Sequence, residues 1–96
     1  MIFTAQQTTK WIESRLAFMG INQSEFALKA GIEPADISRY KLQKAEARMD
    51  NVTAMALAFG IDIISMLIIL GLIDPDGTAT PRLIEGEKNS KIVWKL

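Results

Sequence analysis

The chain of 96 residues contains no cysteine and no histidine. Without cysteine it can form neither disulfides nor thiolate metal sites, and without histidine it lacks the commonest general base. Only carboxylates remain as ionised side-chain ligands for a metal. Structural zinc sites are built from cysteine and histidine, so we do not expect one here. The sequence also has no nucleophile–base pair, no Gly-rich phosphate loop and no metal-ligand spacing. We therefore expect a protein that is not an enzyme, needs no metal and no cofactor, and works in a reducing cytoplasm.

The chain also lacks a surplus of either charge, since eleven basic side chains balance eleven acidic ones. Domains that bind nucleic acids usually carry a basic surplus, so this balance argues mildly against such a function. The distribution answers part of that objection, because one short stretch contains Arg39, Lys41, Lys44 and Arg48, opposed only by Glu46. This stretch is either an ordinary solvated face or a set of phosphate contacts.

A glycine and a proline mark a sharp corner between two short helices. Asn22 and Glu25 have the spacing of a capping box, which starts the first helix. Gly31 suits the left-handed residue that ends this helix. Pro34 is tolerated only in a first helical turn, so the second helix starts at or just before it.

The second helix of the corner is predicted to have one buried and one exposed side. Ile37 and Tyr40 are spaced to face inward, and Ile32 fills the corner itself. The outward residues are Pro34, Ala35, Asp36, Ser38, Arg39 and Lys41. A helix held in this way can offer its N-terminal half to the major groove of DNA, although a plain helical hairpin in a small bundle has the same pattern.

The residues of this corner follow a wider pattern. They are Gln23, Phe26, Ala27, Ala30, Gly31, Ile32, Ile37, Ser38 and Arg39. A second set continues it, with Met49, Val52, Met55, Ala56, Phe59, Gly60 and Ile61. The pattern resembles the Cro/CI (Xre-type) helix-turn-helix family over roughly residues 11–70. Within that family the stretch GIEPADISRYK is most similar to phage activators of the CII type, whose helical C-terminal end this chain does not share.

The resemblance implies an all-α, five-helix lambda-repressor-like domain that binds a double-stranded DNA operator. Its function would be transcription regulation, as a phage or prophage repressor or activator, with a contact to RNA polymerase if it activates. In the family, a glutamine at the position of Gln23 contacts phosphate and braces the reading helix. Arg39 is the best candidate for a bidentate guanine contact, with a phosphate clamp as the equal alternative, and Lys41 and Lys44 are candidates for phosphate. The predicted DNA-binding residues are Gln23, Pro34, Ala35, Ser38, Arg39, Lys41 and Lys44.

Apolar periodicity predicts three further helices outside the corner. Thr4 or Thr8 would cap the first of them, and the fourth helix of the chain would start near Asp50 and stop at Gly60. The predicted inward residues of these two helices are Trp11, Ile12, Leu16, Met19, Val52, Met55, Ala56 and Phe59.

The fifth helix, residues 63–70 behind a capping Asp62, is apolar on nearly every side. It is too short to cross a bilayer, which takes about 20 residues. We expect so small a chain to be unable to cover it, which predicts a homodimer or higher homo-oligomer; the alternative is a central helix buried within one chain. The predicted interface residues are Ile64, Leu67, Ile68, Val93 and Trp94.

From Gly71 onward turn residues become dense. Residues 82–84 and 91–96 predict two strands of a short C-terminal β-hairpin or extended tail. We therefore divide the chain into a helix-turn-helix DNA-binding domain, residues 1–73, and a tail, residues 74–96, used in packing or self-association.

The N-terminus lacks the pattern of a signal peptide. A second function stays open, that of a protein-interaction module, antirepressor or antitoxin-like, which keeps the fold without binding DNA.

Overall fold

The computed structural model describes residues 2–80 and 82–84 of the chain. Within these residues there are five helices and two strands of two residues each. They are α1 (Ala5–Met19), α2 (Gln23–Ala30), α3 (Pro34–Lys41), β1 (Ala47–Arg48), α4 (Met49–Phe59), α5 (Ile63–Ile69) and β2 (Leu83–Ile84). The described part of the chain is thus mostly helical, which agrees with the predicted all-α class.

Three of the helices begin at side-chain caps that the sequence predicts. The side chain of Asn22 accepts from the backbone N–H of Glu25 at 2.8 Å, and the Glu25 carboxylate accepts from the N–H of Asn22 at 2.9 Å. Thr4 forms the same reciprocal box with Gln7, and Asp62 accepts an N–H in the first turn of α5. These side chains satisfy donors that a helix start leaves unpaired, so the predicted starts are confirmed.

The core lies where all five helices meet. Phe26 of α2 and Phe59 of α4 stack with ring centroids 4.1 Å apart, and Trp11 of α1 approaches Phe59 edge-on at 5.2 Å. Aromatic pairs in these geometries stabilise a core beyond the area they bury. The residues predicted to face inward are buried or packed against this core, and those fully or almost fully buried are Ile12, Leu16, Ile32, Ile37, Tyr40, Val52, Met55, Ala56 and Phe59.

The interpretation of α5 as an interface helix needs correction. Leu67 is completely buried, and Met66 and Ile69 are buried beside it, because α5 packs on α4 and α1. Leu67 therefore cannot belong to a subunit interface, and the alternative of a helix buried within one chain describes most of α5. Of the predicted interface residues, Ile64 is 46% exposed and Ile68 is half-buried, whereas Val93 and Trp94 lie outside the described residues.

A network of hydrogen bonds joins both ends of the helical domain. Gln43, just after α3, adopts a left-handed backbone (φ 55°) and donates from its side-chain amide to the carbonyl of Phe3 at 2.8 Å and to the Thr8 hydroxyl at 3.1 Å. The buried hydroxyl of Thr8 in turn donates to the carbonyl of Ile69 at 2.6 Å. Of the two threonines predicted as caps, Thr4 is the cap and Thr8 is this internal link.

Replacing Thr8 with valine is expected to lower the free energy of unfolding by about 1–3 kcal/mol, because a methyl group of equal size leaves the buried Ile69 carbonyl without its donor. Urea unfolding measures the loss. Thr53→Val is the matched control, since within the described residues the Thr53 hydroxyl bonds only to the Met49 carbonyl of its own helix. Its loss should change stability by less than about 0.5 kcal/mol. Equal stability of the Thr8 variant and the parent protein would show that the link contributes nothing.

The segment after α5 folds back onto the helices. The predicted turn is present, with the N–H of Gly77 bonded to the carbonyl of Asp74 and an antiparallel bridge between Ile73 and Ala79. The predicted strand at residues 83–84 is also present, but it pairs in parallel with β1 in the connector after α3. The second strand predicted for the hairpin, residues 91–96, lies outside the described residues.

Arg82 fixes this segment in place. Its guanidinium donates to the carbonyls of Leu70 and Gly71, at 2.9 Å each, and its own carbonyl accepts from the N–H of Ala47 in β1. Burial lowers the pKa of Arg82, although an arginine remains charged at any ordinary pH. Arg82 therefore holds both the end of α5 and the connector that carries Lys44.

Among the described residues, no single helix is long and apolar enough to cross a membrane. The helices α4 and α5 together have the length and apolar composition of a membrane span, but they are bent by 105° at the break between them. Most of their apolar side chains face the core described above.

Candidate nucleic-acid interface

The corner between α2 and α3 has the geometry that its sequence predicts. Gly31 adopts the left-handed conformation (φ 71°), and the N–H of Ile32 bonds back to the carbonyl of Ala27 at 2.9 Å. A residue with a Cβ pays a steric penalty in this conformation, which is why glycine suits it. Ile32 is buried, and α3 starts at Pro34. Both predicted boundaries of the corner are confirmed.

The helix α3 is buried on one side and exposed on the other. Ile37 is completely buried, and Tyr40 is buried with its hydroxyl accepting from the Asn51 side chain of α4 at 2.7 Å. Burial is the main cause that raises the pKa of Tyr40 above its ordinary value. On the opposite side, the predicted outward residues Pro34, Ala35, Ser38 and Arg39 are all exposed.

Gln23 at the start of α2 braces the exposed edge of α3. Its side-chain amide donates to the Ser38 hydroxyl at 2.7 Å and to the Pro34 carbonyl at 3.4 Å, while its oxygen accepts from the Lys41 ammonium at 3.0 Å. One side chain thus contacts residues at the start, middle and end of α3. The predicted bracing role has a direct geometric basis, whereas its predicted phosphate contact stays a prediction.

Lys41 has a different position from the one predicted. Its side chain is only 16% exposed, and its ammonium donates to the Glu13 carboxylate of α1 at 3.2 Å as well as to Gln23. An ammonium already covered and paired in this way is poorly placed to contact a phosphate. We therefore correct the prediction: Lys41 ties α3 to α1 and α2.

Arg39 and Lys44 are the predicted cationic contacts that stay exposed. The Arg39 guanidinium donates to the Asp36 carboxylate one turn earlier at 2.6 Å, with the two side chains 54% and 35% exposed. Lys44 follows α3 in a turn closed by the bond from its N–H to the Arg39 carbonyl at 2.9 Å. Arg48, further along, faces Asp50 at 3.6 Å in an exposed pair that contributes little. The surface around α3 is therefore mixed in charge.

The arrangement brings together Gln23, Pro34, Ala35, Ser38 and Arg39 on one exposed edge, with Lys44 at the end of the same helix. Two supporting residues, Glu13 and Asn51, were not predicted, because each lies on a separate helix and contacts α3 only in the folded state. No local sequence signal identifies such partners.

Neither a metal site nor a likeness to a known protein adds to this candidate interface. Within the described residues, no group of three or more acidic side chains is placed to hold a metal ion. A scan against protein-family models and searches of curated proteins and of solved structures found no match to this chain. The function is therefore inferred from the residues and geometry of this chain itself.

Proposed function

We propose that the chain is a sequence-specific regulator of transcription that reads the major groove of double-stranded DNA with α3. The observation that supports this most is the brace from Gln23 to Ser38 and Pro34, which holds the exposed edge of α3 rigid against α2. A reading helix needs such rigidity, since base contacts depend on side-chain positions fixed to fractions of an ångström. The resemblance to the Cro/CI family and to lambda-repressor-like domains supports the same proposal.

In this proposal, Arg39 supplies the strongest base contact. A guanidinium can donate to O6 and N7 of guanine together, and one such contact discriminates by about 1–3 kcal/mol. Ser38 accepts from Gln23 but keeps its own O–H donor for a base or phosphate. Pro34 and Ala35 offer only apolar contact, for which the methyl group of thymine is the natural partner.

Phosphate contacts would come from Lys44 and from the start of α2. Lys44 is exposed, and the N-terminus of α2 carries Gln23 together with the positive end of the helix dipole. These contacts position the protein without specifying a sequence. With a net charge of zero, non-specific affinity should be low, and binding should depend on base contacts more than is usual for this class.

Selection of bound duplexes from a random pool tests the proposal. We expect an enriched site that contains guanine, and a gel shift on that site at micromolar protein in low salt. If neither random nor selected duplex shifts under these conditions, the protein-interaction module replaces DNA reading as the function.

We also propose that the regulator acts as a homodimer, since paired half-sites one helical turn apart suit a twofold protein. Exposed apolar side chains support this, with Leu57 of α4 77% exposed and Ile64 of α5 46% exposed. Sedimentation should give twice the chain mass of 10.7 kDa for the parent protein and the single mass for Leu57→Lys. A parent protein that sediments as one chain at the concentrations used for DNA binding would contradict the dimer.

A further inference from the structure

We propose that Asp36 is a specificity-determining residue, whose carboxylate orients Arg39 toward guanine and itself accepts from a cytosine amino group, so that α3 selects a site with G·C at this position. The inference deepens the proposed function and depends on it. It concerns the ion pair between Asp36 and Arg39 on the exposed side of α3.

The exposed edge of α3 has few polar groups with which to read bases. Pro34 and Ala35 have none in their side chains, and the Ser38 hydroxyl, which accepts from Gln23, offers only its single O–H donor. The Asp36–Arg39 pair is therefore the main polar feature that this edge presents. With one hydroxyl donor on Ser38 and two charged groups in the pair, the pair offers most of the hydrogen-bonding groups for reading bases on this edge.

The pair leaves capacity on both partners. One N–H of the guanidinium, on Nη1, is bonded to Oδ1 of Asp36 at 2.6 Å. A guanidinium has five N–H donors in a fixed fork, so four remain for the O6 and N7 acceptors of a guanine. A carboxylate has about four acceptor positions on two oxygens, so Asp36 can also take a hydrogen from the N4 amino group of cytosine. Guanine and cytosine therefore complement the two halves of the pair.

The carboxylate also works against the wrong sequence. A negative charge on a DNA-facing surface repels phosphate and lowers affinity for every duplex. Only a base that offers an amino hydrogen to Asp36 compensates for that repulsion. Selective interfaces commonly gain specificity in this way, by repelling the partners that lack the preferred group. The near neutrality of the α3 surface is then part of the selection mechanism.

Folding stability is a weak explanation for the pair. Both side chains are at least a third exposed, and ion pairs three residues apart on a solvated helix contribute little. Asp36 also lies in the first turn of α3, where a negative charge is mildly favourable. Glu33, at the start of the same helix, also places a negative charge near the helix N-terminus. It is exposed, and its side chain makes no capping bond. Glu33 therefore provides a matched control.

The experiment compares Asp36→Ala with Glu33→Ala, each of which removes one negative charge from the start of α3. Dissociation constants are measured at one salt concentration for the selected site, for the same site with its G·C pair changed to A·T, and for a random duplex. Glu33→Ala should tighten all three by a similar factor. Asp36→Ala should tighten binding to the altered and random duplexes but not to the selected site. The dissociation constant of the altered duplex, divided by that of the selected site, should therefore fall by about fivefold or more.

Three results would overturn the inference: an unchanged ratio in Asp36→Ala, an equal fall in both variants, or a selected site without a G·C pair whose change weakens binding. All three occur with a parent protein that binds a preferred duplex, so they leave DNA reading by α3 intact, although the third also removes the guanine contact proposed for Arg39. A parent protein that prefers no duplex would instead remove the proposed function together with this inference. Circular dichroism of both variants, expected to match the parent, separates any loss of fold from loss of selectivity.

Discussion

Replacing Gly71 with alanine is expected to destabilise the folded chain by about 3 kcal/mol or more. Gly71 has a left-handed backbone (φ 69°), which alone costs a residue with a Cβ about 1–2 kcal/mol. The added Cβ would also overlap the side-chain amide of Gln43 and lie 2.9 Å from the carbonyl oxygen of Phe3. Moving the amide away would break its bonds to Phe3 and Thr8, so the strain has no cheap release.

Gly60→Ala provides the control for this prediction. Gly60 has nearly the same backbone (φ 75°), but a Cβ there would meet nothing within 4 Å. Its replacement should therefore show only the conformational penalty of about 1–2 kcal/mol. Urea unfolding followed by tryptophan fluorescence suits both variants, because Trp11 packs against Phe59 in the core. Equal losses in the two proteins would mean that the contact between Gly71 and Gln43 is not as close as described.

Replacing Arg39 with alanine is expected to weaken binding to the selected duplex at least about tenfold, within the range of one bidentate base contact. The side chain is exposed and already oriented by Asp36, so its loss removes both the guanine contact and one positive charge. Binding to random duplex should fall much less, because non-specific binding depends on phosphate contacts. Fluorescence anisotropy on both duplexes measures the two effects.

Lys44→Ala separates charge from base reading, since it also removes one positive charge close to α3. It should weaken binding to all sequences alike and reduce the slope of log K against log salt by about 1. The preference among duplexes should stay as in the parent protein. If Arg39→Ala and Lys44→Ala change affinity, selectivity and salt slope to the same extent, Arg39 is a phosphate contact and the base-reading assignment is wrong.

Local rules were enough to predict most of the helical framework. Asn22 and Asp62 cap helices because a short acceptor side chain stands before an apolar periodic stretch, and the partners lie within three residues. Gly31 and Gly60 end helices for the same local reason, as residues that take a left-handed backbone without strain. The outward edge of α3 followed from the helical period and the two inward residues of that helix.

Long-range contacts account for what the sequence could not predict. Lys41 has the spacing of an outward residue, but Glu13, 28 positions away, draws it against α1. The burial of Leu67 depends on how α1 and α4 close over α5, which no residue of α5 encodes. The pairing of β1 with β2 joins segments of two residues each, too short to show a strand period. Gln43 has a positive φ that is usual for glycine, and its side chain donates to two distant partners, Phe3 and Thr8, which no local pattern indicates.

The central claim, that the exposed edge of α3 enters a major groove, is tested most directly by titrating the isotope-labelled protein with its selected duplex and following the backbone amide resonances. We predict that the largest changes fall on Gln23, on residues 35–39 and on Lys44, and that methylation of guanine N7 in the duplex weakens binding and reduces the changes of residues 35–39 most. Changes centred on Leu57 and Ile64, with the amides of α3 unaffected at saturating DNA, would contradict the account, as would the absence of any change.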